Sequence, residues 1–200
     1  MGNVAIGQSM SLDGFIAGPN DGRGNPLGDG GARLFEWMSA GAERVGPDDR
    51  FKPAVRSRPV LREMFECGAI ITGRRTFDIA NGWGGRHPIG VPFFLLTHEP
   101  PAEHVGPGSE GTVVTDGVES ALEQARAVAG EKTIAVGAAD VAQQYLRAGL
   151  VDEIHLNLVP VLLGGGVRMF DNLEDVQLDM RCTRVIESDG VTHLRYHVAR

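Results

Sequence analysis

Gly68-Ala69-Ile70-Ile71-Thr72-Gly73-Arg74-Arg75-Thr76-Phe77 reads as a strand that runs straight into the start of a helix. A short apolar run bounded by glycine fits a strand covered on both faces. Lys132-Thr133-Ile134-Ala135-Val136-Gly137-Ala138-Ala139 repeats the form, and Asp140 to Ala148 continues as a helix with Val141, Tyr145 and Leu146 on one side. Two strand–turn–helix units of this kind specify an α/β fold built on a mostly parallel sheet.

The flanking chain extends the pattern in both directions. Val4, Ile6 and Gln8 begin a strand near the N-terminus. Ser11 to Gly31 then passes through seven glycines, with Pro19 and Pro26 among them; an ordered loop of that length is often a lid. Ala32 to Met38 has Leu34, Phe35 and Met38 at helical spacing, Gly46 to Arg58 is a polar insertion, and Val60 to Glu66 is a second helix. Val91 to Thr97 and Gly111 to Thr115 are strands. Val118 to Ala129 is an amphipathic helix with Ala121, Leu122, Ala125 and Val128 inward. Asp152 to Val161 is a strand followed by a glycine-rich stretch to Val167. Gln177 to Glu187 and Val191 to Val198 form a hairpin across Asp189-Gly190. The expected architecture is one domain over residues 1–200: a central mixed, mostly parallel β-sheet, helices on both faces, and a C-terminal antiparallel hairpin.

Composition narrows the function classes. The 200 residues suffice for one core without covalent staples. The net charge of -7 argues against a nucleic-acid surface. No apolar run approaches the roughly 20 residues of a membrane span, and Met1 to Gln8 has neither the basic start nor the apolar core of an export signal, so a cytoplasmic protein is expected. Cys67 and Cys182 are isolated and read as buried, inert thiols; no metal site is expected.

Both strand-to-helix turns place small residues where free backbone N–H groups and a partial positive charge collect. A phosphate can approach such a turn closely, and two in one sheet suit a ligand with more than one phosphate. Arg74 and Arg75 add guanidinium groups at the first turn. Thr97 and His98 end another strand on the same rim. Neither turn carries the full G-x-G-x-x-G or P-loop pattern.

At these residues the chain resembles the dihydrofolate reductase superfamily, nearest the branch that includes the C-terminal reductase domain of bacterial riboflavin biosynthesis. The matching pieces are Ser11-Leu12-Asp13-Gly14-Phe15-Ile16-Ala17-Gly18, Thr72-Gly73-Arg74-Arg75-Thr76-Phe77, Val136-Gly137-Ala138-Ala139 and Pro160-Val161-Leu162-Leu163-Gly164-Gly165-Gly166. The resemblance implies a dihydrofolate-reductase-like fold of about eight strands, NADPH as hydride donor, a small-molecule substrate and a homodimer. It implies that Gly73, Arg74, Arg75 and Thr76 hold the pyrophosphate and adenosine phosphate, with Thr97 and His98 by the 2′-phosphate. Gly137, Ala138, Ala139 and Asp140 would form the second phosphate turn, followed by Val141. Ala5, Ile6, Gly18 and Trp37 would lie near the nicotinamide, and Leu34 and Trp37 would line the substrate pocket.

Two departures bear on the substrate. Folate reductases carry an acid three positions before a tryptophan on the first helix; Trp37 fits the tryptophan, and the acid's position is Leu34. Turnover of dihydrofolate is therefore not expected. Phe15 stands where the riboflavin reductases commonly have lysine, which bears on recognition of a phosphoribosyl pyrimidine. Asp13 is the candidate proton donor, with a bound water as the alternative. The expectation is an NADPH-dependent reductase resembling 5-amino-6-(5-phosphoribosylamino)uracil reductase. The alternatives are reduction of another heterocycle or carbonyl, and a nucleotide-binding dimer without turnover.

Overall fold

The structure, a computed structural model, describes residues 2–199. Its strands are β1 (Val4–Ser11), β2 (Phe15–Ala17), β3 (Ala69–Gly73), β4 (Phe93–Leu96), β5 (Gly111–Val114), β6 (Ile134–Gly137), β7 (Glu153–Val159), β8 (Val167–Arg168), β9 (Met180–Ser188) and β10 (Val191–Val198). The α-helices are α1 (Arg58–Phe65), α2 (Arg74–Ile79), α3 (Val118–Ala129) and α4 (Ala139–Arg147). Eight strands form one sheet in the order β5-β4-β3-β6-β1-β7-β10-β9. Pairing is parallel from β5 to β7, and β10 runs antiparallel to both β7 and β9. The expected mixed sheet, its helices on both faces and its terminal hairpin are all present.

The even residues of β1, Val4 and Ile6, join Ile134, Val136, Ile154 and the inner faces of α3 and α4 in the largest core cluster. Helix α3 buries Ala121, Leu122 and Ala125 there, but Val128 is 55% exposed, outside the stripe assigned to it from the sequence. The far side of the sheet carries two smaller clusters. One joins Leu34, Trp37 and Leu61 to Val159 and Val191, and the other packs Phe77 on Phe93 and Leu95.

Three local readings need correction. Residues 31–39 form a 3₁₀ helix, not an α-helix. With three residues per turn, side chains at i and i+3 share a stripe, so Gly31, Leu34 and Trp37 face the core together. The glycine-rich stretches after β1 and β7 hold a small antiparallel sheet of β2 and β8, pairing Phe15 with Arg168 and Ala17 with Val167. Cys182 is exposed on β9, whereas Cys67 is buried as expected. Its thiol is pushed up by that burial.

The lid that follows β2 is tightly bonded to itself. Gly18 N–H donates to Leu27 O at 2.8 Å and Asp29 N–H to Pro19 O at 2.7 Å. The Asp29 carboxylate accepts from the Asn20 and Asn25 amides at 2.6 and 2.9 Å. Gly18 is required by close approach, since a Cβ there would lie 2.0 Å from Asp29 O.

Candidate active site

A cleft of about 680 Å³ lies beyond the carboxyl ends of β1, β3, β4 and β6. It is where parallel sheets hold their ligands, because helix starts and strand-end loops converge there. The first turn contributes Gly73, Arg74, Arg75 and Thr76, the rim Thr97 and His98, and the second turn Ala138, Ala139, Asp140 and Val141. The structure thus brings together two turns 64 positions apart in sequence, at Gly73 and Gly137. The Gly137–Ala138 peptide is cis, and Gly137 packs under Gln8, whose Nε2 would lie 3.0 Å from a Cβ there.

The arginines are less available than the sequence suggests. Arg74 Nε donates to both Asp78 oxygens at 2.9 Å, and its Nη1 donates to Glu99 O at 2.8 Å. Arg75 Nη2 donates to Asp21 Oδ1 of the lid at 2.6 Å. The Arg75 side chain is 65% exposed and that of Asp21 only 11%. The pair ties the loop after β2 to the first turn, while much of the Arg75 side chain stays exposed.

Four assignments move. Ala5 and Ile6 are buried at the start of β1 and line no cavity; the residue of that strand in the cleft is Gln8, nearer the carboxyl end. Gly18 braces the base of the lid and does not line the cleft. Leu34 and Trp37 are 0% and 2% exposed and point into the core, so the helix offers Phe35 and Met38 instead. Asp13 lines neither cavity. Its carboxylate accepts the N–H groups of Leu163 and Gly164 at 3.1 and 2.7 Å. The Ser11 hydroxyl, followed by those two amides, holds the carboxyl down at about 2. A group that stays ionised at neutral pH cannot donate a proton there, so Asp13 caps the loop after β7.

A second cavity, of about 640 Å³, lies over β1, β7 and β10, with Phe35, Met38, Val60 and Met64 on its apolar side. Gln8 and Phe35 line both cavities, so the two meet there. Sequence reasoning missed this cavity because its floor comes from three strands. Ser9, Asn157 and His193 are register neighbours across β1, β7 and β10. His193 Nδ1 lies 2.7 Å from Asn157 Oδ1, and its Nε2 lies 2.8 Å from Ser57 Oγ. Trp37 crosses above them: its Nε1–H donates to Ser9 Oγ at 3.0 Å, and its ring meets His193 edge-on at 4.8 Å. Burial, with the Arg184 charge adding to it, lowers the His193 pKa to about 4, so the imidazole is neutral at physiological pH. Further along the floor, Arg184 grips Glu63 with two bonds of 2.7 and 2.6 Å. Arg195 bonds the same carboxylate, and Glu153 pairs with His155 at 2.7 Å.

Residues 96–194 match the RibD C-terminal domain family. The chain is 29% identical over 207 residues to the uncharacterized protein YyaP of Bacillus subtilis (strain 168), covering 97% of this chain and 94% of YyaP. Its fold matches that of a putative riboflavin biosynthesis protein from Shewanella sp. PV-4, with a TM-score of 0.70, 23% identity and full coverage of both chains. It also matches dihydrofolate reductase from Enterococcus faecalis complexed with NADP(H), with a TM-score of 0.58, 14% identity, and coverage of 99% of this chain and 97% of that one. Among the described residues, no group of acids, histidines and cysteines could hold a metal ion, and no helix is long and apolar enough to cross a membrane.

Proposed function

We propose that this protein is an NADPH-dependent oxidoreductase that reduces a small molecule. The observation that carries this reading is the meeting of a cleft with two phosphate-type turns and a second, part-apolar cavity at Gln8 and Phe35. The cleft fits the cofactor chemically. Small residues leave the N–H groups of two turns accessible, and Arg75, Thr97 and His98 surround the rim. When bound, NADPH would supply a hydride, which carries the two electrons and one of the two protons that the reduction needs. Gln8, Ile16 and Ala17 shape the end of the cleft next to the second cavity. The reducible ring sits in that cavity, and the lid excludes water from the cofactor side. With Asp13 committed to its loop, the balancing proton comes from water entering the open second cavity.

The family reading points to riboflavin-type chemistry, and the second cavity favours another ring system within it. Its lining acids, Glu63, Glu66, Glu131 and Glu153, outnumber its bases, Lys132, Arg184 and Arg195. Both arginines are already paired with Glu63. A phosphorylated substrate such as 5-amino-6-(5-phosphoribosylamino)uracil finds no surplus positive charge there, which favours reduction of another heterocycle or carbonyl. The reading is tested by cofactor titration followed through fluorescence. NADPH should bind at least fivefold more tightly than NADH, and Arg75→Ala should remove most of that difference; about 1 kcal/mol of charge-assisted contact is enough for this. Equal affinities in the parent protein would overturn the assignment.

The proposed form is a cytoplasmic homodimer. The outer strand β9 has an unpaired edge and exposes Met180 and Val185 at 49% and 61%; such an edge favours cover by another chain. Light scattering at micromolar concentration should give twice the 21.4 kDa chain mass, and a monomer mass would reject the dimer.

A further inference from the structure

We infer that Arg168, a residue the sequence did not single out, is an anion-binding group of the first cleft, and that it takes a diphosphate lying across the second turn. The anion site stands on geometry; assigning the diphosphate to the cofactor rests on the reductase reading.

Three arginines line the cleft, and two of them are committed. Arg74 is paired with Asp78 and Arg75 with Asp21. Among the described residues, Arg168 has no carboxylate partner. Its Nη1 lies 3.5 Å from the backbone oxygen of Asp13, whose carboxylate is turned instead to the Leu163 and Gly164 amides. A guanidinium without an acid beside it keeps its full attraction for an incoming anion.

The group is also held in place. Phe15 faces Arg168 in the register of β2 and β8, and the guanidinium carbon stands 4.6 Å over the centre of the Phe15 ring. That ring is 6% exposed, so the platform is part of the core. Phe15 N–H donates to Ser11 Oγ at 3.0 Å, and Met169 N–H donates to Gly14 O at 3.0 Å, which fixes the backbone on both sides of the stack. Stacking occupies a face of the guanidinium and leaves its edges, where the N–H groups lie, for an acceptor. Those edges match phosphate oxygens two at a time. An arginine already stacked loses less freedom on binding than a solvated one.

Its position identifies the anion. β4, β3, β6 and β1 are successive neighbours in the sheet. Thr97 and His98 follow β4, Arg75 follows β3, the second turn follows β6, and Phe15 follows β1 in β2. Gln143 of α4 donates to Met169 O at 3.1 Å, so the segment carrying Arg168 is braced on the helix that the second turn begins. Arg75 and Arg168 therefore flank the second turn from opposite sides, on strands two spacings apart, roughly 10 Å. That arrangement suits a ligand with two separate anionic groups. A 2′-phosphate falls to Arg75, and a diphosphate is shared between the N–H groups of the second turn and Arg168.

The test titrates NADPH and NADH by fluorescence, and inorganic pyrophosphate by calorimetry, into the full chain. Arg168→Met keeps an apolar stem over Phe15 and removes the charge. It should weaken both nucleotides at least about tenfold, the loss of one charge-assisted contact, and leave their ratio within twofold, because both carry the diphosphate. Arg75→Ala should instead change the ratio. Pyrophosphate should bind the parent and weaken at least about tenfold in Arg168→Met. Arg168→Lys, which keeps the charge without the fork, should fall between parent and methionine protein, and it serves as the second variant if the methionine protein fails to fold. Unchanged affinity for pyrophosphate and for both nucleotides in a folded Arg168 variant would overturn the inference. So would a loss confined to NADPH, which would move Arg168 to the 2′-phosphate. A parent that binds pyrophosphate through Arg168 and neither nucleotide would reject the reductase reading and keep the anion site; a parent that binds none of the three would reject both.

Discussion

Gly7→Val is expected to make the protein more stable and, at the same time, to remove the proposed reductase activity. The two effects have separate physical origins. Glycine inside a strand costs roughly 0.5–1 kcal/mol relative to alanine, because the unfolded chain has more freedom to lose, and valine suits a pleated strand better still. Nothing in the fold resists the larger side chain, since the space above Gly7 is open to 4 Å. The melting temperature should therefore rise by a few degrees. The same isopropyl group projects into the floor of the second cavity, where the proposed substrate ring lies. Displacing a ring by the thickness of a side chain takes it out of reach of a hydride, so turnover should fall at least about 100-fold. NADPH affinity should stay within about threefold, because Gly7 does not line the cleft proposed to hold it. Thermal melting, cofactor titration and NADPH oxidation on one preparation check all three. Normal turnover in the valine protein would move the substrate out of this cavity.

Gly166→Ala should do the opposite, costing stability and cofactor together. Gly166 has φ near +119°, a conformation that side chains rarely adopt. A Cβ there would lie 2.0 Å from Ala17 O, at the end of β2, and 2.6 Å from Gly18 C, where the lid begins. The chain must yield, and what yields is the short pairing between β2 and β8. A strained backbone plus a broken pairing costs on the order of 3 kcal/mol. NADPH affinity should drop at least about tenfold as the lid loses its anchor, and proteolysis should open residues 18–31 first. Gly22→Ala is the control. It lies in the same lid, its Cβ would touch nothing within 4 Å, and it should leave both properties unchanged. Unaltered melting and affinity in Gly166→Ala would show that the lid does not depend on that close approach.

The contrast between these glycines also shows which parts of the molecule can be read from sequence. The parallel sheet was legible because β3 and β6 are short apolar runs that end in glycine at a helix start. Helix α4 was legible because Val141, Tyr145 and Leu146 lie on one face and are buried there. The phosphate-type turns were legible for the same reason: strand end, small residues and helix start are all within a few positions. The β2–β8 pairing was not, because three residues facing two carry no period. Residues 31–39 satisfied a helical pattern, but the tighter 3₁₀ winding rotates Leu34 and Trp37 inward and brings Phe35 and Met38 to the cavity. Ala5 and Ile6 were placed too early on β1, since the position of a strand relative to the sheet's edge depends on its neighbours. The Ser9–Asn157–His193 row was invisible because its members are adjacent only through strand register.

The two cavities share Gln8 and Phe35, are otherwise lined by different residues, and are both open to solvent. For the proposed reductase this has a kinetic consequence. Neither ligand has to pass through the other's chamber, so either can arrive first and the reduced product can depart while the spent nucleotide stays in place. Exchange of nucleotide is then governed by the lid and its Arg75–Asp21 tie, and exchange of the reduced molecule by the open slot above Gly7. Steady turnover is limited by whichever door is slower, and the two doors are built from different residues, so one can change without disturbing the other.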